Sequence, residues 1–541
     1  MYIMEMSNGE TLAYMKNKKS IYSRDNDFIT IIASAKNNVP GYIRICSGNF
    51  TKDRQFRYNK CEIFTSVIPR QQELQIYMKD VEVYYSYLFS REKSKAVQQV
   101  SLGNSSESKV FKNQNSFHYT APVGWLNDPV GLCFYKGLYH MFYQFNPASQ
   151  KWGDAHWGHV TSTDLLHWKE HPIILSPQPE IISNPLVRGG AFSGSALIEK
   201  NKMYLFFTRH VGDLEKRHCL EYTVSVSSDN GFEFSGEQTV VDDLPVELGE
   251  NFRDPKVWKE ENEWLMLTGT ETSETAAIAI HRSVDLKNWE YTGVFLEETD
   301  KKYLRAECPS LIKIQDKYIL IVGYHNKKPE IIRRDTVYYI GTIRDYKFQI
   351  EAQGLLDYGK DFYAAQIFAN LDTPILIGWV NDRYEHHIEE LSRSNGSMSL
   401  PRKLWIANGR LYSYPIEKIE TLKGKSESFT ESFTVKDGRG HLHVILEKEG
   451  KGRLVLARSE AGKASIEIGS GLIKIEIDDE EWSAEWNTRE LDIYMDNALL
   501  EVFVNHGEYA FTRRYEHYKT DYQIEAELST GCSATFCKIR F

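Results

Sequence analysis

No stretch of this sequence approaches the ~18 consecutive apolar residues of a membrane-spanning helix, which argues against a membrane protein of that kind. A basic excess is missing too. The chain carries 65 Lys and Arg against 75 Asp and Glu, a formal net charge of -10. Nucleic-acid binding needs a basic face, so that class is disfavoured. Cysteine is scarce: the seven residues are odd in number and scattered at 46, 61, 133, 219, 308, 532 and 537. Such a set reads as reduced, mostly buried thiols rather than a disulfide framework. Cys532 and Cys537 have no second pair nearby to complete a zinc site. The opening residues MYIMEMSNGETL lack a basic segment followed by an apolar core. They are not a secretory signal, and the expectation is a cytoplasmic location unless the chain is a processed form. Long 3.6-residue periodicity is nearly absent; the one exception is a short helix near Arg91–Val100.

What the chain does have is strands. Aromatic content is 13%, with 11 Trp and 32 Tyr, which suits strands and sugar-stacking surfaces. The length of 541 residues implies several domains at roughly 100–200 residues each. Residues 1–90 read as a small β-rich domain, with runs such as DFITIIASA and GYIRICSG. The polar, Ser-rich stretch 91–112 reads as a linker. Residues 113–415 hold a repeat, a strand, a short polar turn and a second apolar strand: GLCFYKGLYHMFYQF, SALIEKNKMYLFFTR, PKVWKEENEWLMLTG, PSLIKIQDKYILIVGY and the weaker AAQIFANLDTPILIGW. Aligned on Tyr139, Tyr204, Trp264, Tyr318 and Ile375, the units are 65, 60, 54 and 57 residues apart. A second marker interleaves at Asp164, Asp229, Asp285 and Asp345. Two hairpins per unit is the pattern of a β-propeller blade, and five units predict a five-bladed propeller. Residues 425–541 are turn-spaced strands without these markers, and a C-terminal β-sandwich is the simplest reading. The fold class expected is therefore all-β.

Three acids recur in register with this repeat. Asp128 in GWLNDPVG lies 11 residues before Tyr139, Asp254 in FRDP 10 before Trp264, and Glu307 in AECP 11 before Tyr318. The second unit has Ser193 at this place, in FSGS. A single Asp-Pro turn would be structural. Acids at matching points of successive blades instead converge on one end of the central channel. Crowded carboxylates push at least one pKa upward, and Arg253 is expected to keep Asp254 ionised. One ionised and one protonated acid is the layout for glycosidic cleavage. Trp125, Trp152, Trp157 and Phe192 are placed to stack on sugar faces.

Taken together, WLNDPVG, FRDP, AECP, FYQFNP, FSGS and SLPRKLW resemble glycoside hydrolase family 32, the invertase, inulinase and levanase group, from about Asn115 onward. LLEVFVNHGEYAFTRR resembles the family's C-terminal sandwich. The resemblance implies a retaining β-fructofuranosidase acting on sucrose or short fructo-oligosaccharides. Asp128 would be the nucleophile, Glu307 the acid and then base, and Asp254 the transition-state stabiliser. Asn127, Gln144, Trp152, Phe192, Ser193 and Arg253 would line the fructose subsite, with Asp361 and Trp379 from the fifth blade. No metal or cofactor is implied. The rival readings are a fructosyltransferase with the same intermediate, a sucrose-6-phosphate hydrolase using Arg209 and His210, and a non-catalytic sugar-binding propeller.

The pattern also departs from the family. Val130 stands where Asn is usual, Ser310 where Asp commonly follows, and Ala306 where Trp is usual. All three adjoin the acids, so they put leaving-group or acceptor preference in question. The N-terminal 110 residues have no counterpart in the family pattern. They either pack against the propeller or a second subunit, allowing a homo-oligomer, or bind sugar. HWGH at 156–159 lacks a carboxylate at ligand spacing and reads as structural or subsite, and EHHIEE at 385–390 as a solvated loop.

Overall fold

The computed structural model describes the chain except residues 1–16, 58–60, 91–96, 103–114, 185, 214, 216–217, 328–333, 381–393, 437, 448–449, 459–462, 470, 478–479, 486–488, 498 and 515–521. Most of the expected linker and the EHHIEE loop lie outside the described residues. The molecule is nearly all β. Where the sequence suggests a helix near Arg91–Val100, the described part holds the short strand Gln98–Gln99. The α-helix among the described residues is Pro179–Ser183, five residues long with Pro in its first turn. That is too short to leave a periodic signal, and Pro supplies the helical φ in advance.

Five sheets, antiparallel except for one short closing strand, follow one another. They begin with the strands Gly124–Tyr135, Val187–Glu199, Arg253–Glu260, Tyr303–Ile314 and Phe362–Ile367. Each of these pairs with the next strand in sequence, so the hairpins read from the repeat are present. The first strands pack against one another in succession, and the fifth returns to the first. Ser394–Asn395 pairs in parallel with Gly124–Trp125, tying the end of the set to its beginning. Apolar side chains fill the wedges between sheets. Val130, Phe142, Trp157, Ala191, Leu205 and Phe207 form one such cluster.

The interleaved marker needs a correction. In the first and third sheets Ser162 and Asp164, and Ser283 and Asp285, build matching turns in which the carboxylate accepts two backbone N–H bonds. In the second sheet the acceptor is Asn230, not Asp229. In the fourth, Asp345 and Tyr346 form a tight hairpin turn with φ of 51° and 58°. The serine two residues earlier, not the aspartate, aligns the first three turns.

Before these sheets, residues 17–102 form two four-stranded sheets. They dock on the strand Lys169–Leu175: Val97 N donates to Glu170 O at 3.0 Å, and Tyr85 Oη to the Glu170 carboxylate at 3.1 Å. Ile32, Tyr85, Tyr87 and Phe89 pack with Val123 and Ile173 across the seam. After the fifth sheet, residues 427–537 form two six-stranded sheets around a shared apolar core.

The seam between these last sheets and the ring is ionic and buried. The Arg402 guanidinium, fully buried, reaches Asp357 at 2.9 Å and Glu501 at 2.7 Å. His118 bridges Asp496 and Glu501 at 3.0 Å each. Burial alone would lower the His118 pKa, but the two carboxylates outweigh it and raise it to about 9. Removing one member leaves the others buried without their partner. Arg402→Ala is therefore expected to cost about 3–5 kcal/mol, read as a lowered unfolding midpoint in urea. A loss below ~1 kcal/mol would show that water or relaxation satisfies the freed acids.

Candidate active site

The three acids meet where the first strands of the sheets are bulged. Two residues stand opposite one partner at Asn127–Asp128, Phe192–Ser193, Asp254–Pro255, Cys308–Pro309 and Ala364–Ala365. Bulges bend a strand and re-aim its side chains. In the last three sheets the first bulged residue has left-handed φ: 64° at Asp254, 51° at Cys308 and 51° at Ala364. That conformation costs a non-glycine residue about 1–2 kcal/mol. The expectation that the acids occupy one equivalent position is refined by this frame. Glu307 precedes its bulge, Asp254 opens its own, and Asp128 closes its own.

Cys308 joins the cluster. Asp254 Oδ2 accepts the Cys308 backbone N–H at 2.8 Å. The Cys308 Sγ lies 3.4 Å from Asp254 Oδ2 and 3.6 Å from Asp128 Oδ2. Burial first, then the acids, push the thiol pKa well up, so sulfur remains an S–H donor between two carboxylates. The Ser193 hydroxyl donates to Asp128 Oδ2 at 2.7 Å.

Glu307 sits among two arginines and a histidine, whose own pKa burial lowers despite the carboxylate beside it. Its Oε2 is 2.6 Å from His325 Nε2 and accepts from Tyr363 Oη at 2.9 Å. Arg253 Nη1 stands 3.4 Å from Oε1 and Arg334 Nη1 3.8 Å from Oε2. Burial pushes the Glu307 carboxyl up, but His325, Arg334 and Arg253 outweigh it and hold it well below the usual range. Asp254 goes the other way. Burial and repulsion from Glu307 raise it to about 8, and Arg253 offsets only part of this. Arg253 therefore lowers Asp254 as expected, but burial and Glu307 act against it. The guanidinium is held by Glu221 at 2.9 Å and by Asn251, and its free edge is turned to Glu307.

The other expected subsite residues divide. Gln144 donates to Ala191 O at 2.9 Å, and Trp157 Nε1 to Phe192 O at 3.1 Å, pinning the second bulge to the first sheet. Phe192 lies flat on His210 at 4.2 Å, edge-on to Trp152 at 6.1 Å, and 5.8 Å from the Arg253 guanidinium. Asn127 Oδ1 accepts from Trp125 Nε1 at 2.8 Å. Trp379 is buried edge-on against Trp125 at 5.6 Å, a second layer behind the site. Asp361 does not belong: its carboxylate takes Arg513 Nε and Arg514 N, each at 2.8 Å, in the C-terminal seam. Arg209 does not face the acids either, since its guanidinium is taken by Glu237 and by Ser176 O.

The departures from the family pattern also point elsewhere. Val130 is fully buried in the wedge between the first two sheets. Ala306 is buried in another apolar cluster, and the Ser310 hydroxyl accepts the Ile367 N–H at 3.1 Å. None of the three lines the site, because each side chain leaves its strand on the packed face. In HWGH, His159 Nε2 lies 3.1 Å from His140 Nδ1 in a buried stack, a structural role.

His325, Tyr363, Arg334, Glu221 and the thiol of Cys308 are site residues that sequence reasoning misses. Cys308 lies inside the AECP motif. The others carry no local signal: His325 and Arg334 arrive through strand pairing, Tyr363 and Glu221 through packing of the neighbouring sheet. His325 is two residues beyond Gly323, the partner of Glu307, and so shares its face. Gly323 makes room for Tyr363: a Cβ there would sit 2.7 Å from the ring Cζ.

Residues 118–415 match the family description "Glycosyl hydrolases family 32 N-terminal domain". A sucrose-6-phosphate hydrolase of Zymomonas mobilis is 32% identical over 339 residues, 59% of this chain and 65% of that protein, so the chain spans just under two thirds of that relative's length. A glycoside hydrolase family 32 structure from Bifidobacterium adolescentis superposes with a TM-score of 0.89 at 21% identity, over 97% of this chain and 99% of that one. A Bombyx mori family 32 β-fructofuranosidase gives 0.71 at 26%, over 79% and 94%. The match to more than half of the chain, with the acids inside it, places the protein: it belongs to glycoside hydrolase family 32.

Proposed function

We propose that the chain is a retaining glycoside hydrolase that releases terminal β-D-fructofuranosyl units from sucrose or short fructo-oligosaccharides. The sheets would be five blades of a propeller (113–415), after a small β domain (1–90) and linker (91–112) and before a β-sandwich (425–541). The observation that carries this reading is the meeting of three carboxylates from three sheets in opposite electrostatic settings. The name of the Bombyx relative agrees with it, and that of the Zymomonas relative agrees with the phosphorylated-sucrose reading below.

In this reading Asp128 attacks the anomeric C2, the C2–O bond to the leaving sugar breaks, and Glu307 protonates the departing oxygen. Water, deprotonated by Glu307, then releases fructose from the ester on Asp128. Asp254, carrying its proton, hydrogen-bonds the fructose hydroxyls. The short Glu307–His325 contact holds one hydrogen between the two atoms. The pair with a second proton is the state able to protonate the leaving oxygen.

The pH profile follows. Turnover falls as pH rises and the pair loses that proton. His325→Asn removes a group that lowers the Glu307 pKa, so that pKa rises and the alkaline limb of kcat moves to higher pH. A limb moved to lower pH would assign the proton to His325 instead.

Product analysis with sucrose, 1-kestose, inulin and levan tests the whole reading. Free fructose is expected. Transfer products predominating at high sucrose would replace hydrolysis with transfer, and binding without fructose release would leave a sugar-binding propeller. A second reading, sucrose-6-phosphate hydrolysis, has its own observation. Arg305, His325 and Arg334 stand side by side across three strands beside Glu307, a basic row at the site. A kcat/KM for sucrose 6-phosphate at least tenfold above that for sucrose would favour it.

A further inference from the structure

A cavity of about 640 Å³ lies between the N-terminal sheets and the ring. That is within the roughly 300–1,000 Å³ of small-ligand pockets. One wall comes from Lys36, Asn37 and Tyr84 of the N-terminal sheets. The other comes from Asn146, Trp152 and Arg188 of the first two propeller sheets. The second wall is linked to the acids through packed side chains. Trp152 meets Phe192 edge-on, Phe192 faces Arg253, and Arg253 reaches Glu307. Asn146 pairs across the sheet with Trp125, whose indole N–H holds Asn127 beside Asp128.

The chemistry of the lining is that of a neutral sugar. Trp152 is 53% exposed, a large ring left open among polar groups. Sugars present a C–H face to such a ring and hydroxyls to the donors and acceptors around it. Charge does not select an anion: Lys36 and Arg188 are balanced by Glu82 and Asp154, and Arg188 already stands 3.9 Å from Asp154. Burial keeps His156, also in the lining, neutral by lowering it to about 4. In the N-terminal wall Tyr84 Oη and Ser34 Oγ are hydrogen-bonded at 2.7 Å. Docking through Glu170 and the Tyr87 hydroxyl fixes that wall on the first sheet of the ring.

We propose that this cavity is a sugar subsite for the units of an oligosaccharide beyond the bond that is cut, and that the N-terminal domain thereby sets chain-length preference. The proposal rests on the fructosidase reading above. Its test is the ratio of kcat/KM for 1-kestose to that for sucrose, in the full chain, for the wild type, Lys36→Ala, Lys36→Glu and Tyr84→Phe. Unfolding curves confirm that each variant folds. Wild-type turnover comes first: none on any fructoside overturns the hydrolase reading itself. With turnover present, the ratio is expected to fall about threefold to tenfold in each variant, the loss of one hydrogen bond to a neutral group. An unchanged ratio in all three overturns the subsite alone. If Lys36→Glu spares 1-kestose but lowers kcat/KM for sucrose 6-phosphate tenfold or more, the cavity takes a phosphate and the neutral-sugar assignment fails.

Discussion

Asp128→Asn is expected to lower kcat on sucrose by at least about 10⁴-fold while leaving the fold intact, as loss of a nucleophile does elsewhere. The substitution is nearly isosteric, and the Ser193 hydroxyl can still donate to the amide oxygen at this position. What disappears is the negative charge that forms the fructosyl ester and stabilises an oxocarbenium-like transition state. The loss should therefore be equally severe on every fructoside, whatever the leaving group. Single-turnover assays measure it free of product release. A variant within tenfold of wild type would remove Asp128 from the chemistry and with it the proposed mechanism.

Glu307→Gln has the second largest expected effect, about 10²–10⁴-fold on sucrose, the usual contribution of a general acid–base. Unlike the nucleophile, its cost depends on the substrate. A leaving group that departs as a stable anion, such as fluoride, needs no proton, so fructosyl fluoride should form the intermediate at close to the wild-type rate. Its hydrolysis would remain slow because the base is gone, and the intermediate should accumulate as a burst. Equal losses on sucrose and fructosyl fluoride in the first step would mean that Glu307 holds Arg253 and His325 in place rather than moving a proton.

Both residues are legible in the sequence alone. Asp128, Asp254 and Glu307 stand in register with a repeat of apolar hairpins, and such a repeat survives in sequence because each hairpin buries the same face. Ser193 follows from the same register, and its hydroxyl does lie on Asp128. The register is off by one in places, and for a physical reason. A bulge inserts a residue without disturbing the hydrophobic pattern on either side, so counting from an aromatic marker cannot locate it. The setting of Arg253 is hidden from the sequence for a related reason. Adjacency in sequence puts Arg253 next to Asp254, but Asp254 opens a bulge, where strand alternation does not set the direction of the side chains. The Arg253 guanidinium instead turns to Glu221 and Glu307.

Asp361 and Val130 show the limit from the other side. Asp361 lies one residue before a first strand, where a site acid is plausible, but the C-terminal sheets bring Arg513 to it. Val130 is two residues from Asp128 and faces the apolar wedge, so it carries packing and not specificity. His325, Tyr363 and Arg334 reach Glu307 only because sheet pairing and the closing of the ring set three separate segments side by side.

By itself, then, the sequence determined the strand-rich class, the repeat and the register that groups the three acids, because local hydrophobic pattern and turn chemistry are written in neighbouring residues. The tertiary structure decided the electrostatics. Which acid holds the proton depends on burial and on the distances to Arg253, His325 and Arg334, and Coulomb energies between groups far apart in the chain exist only once folding has brought them within a few ångströms.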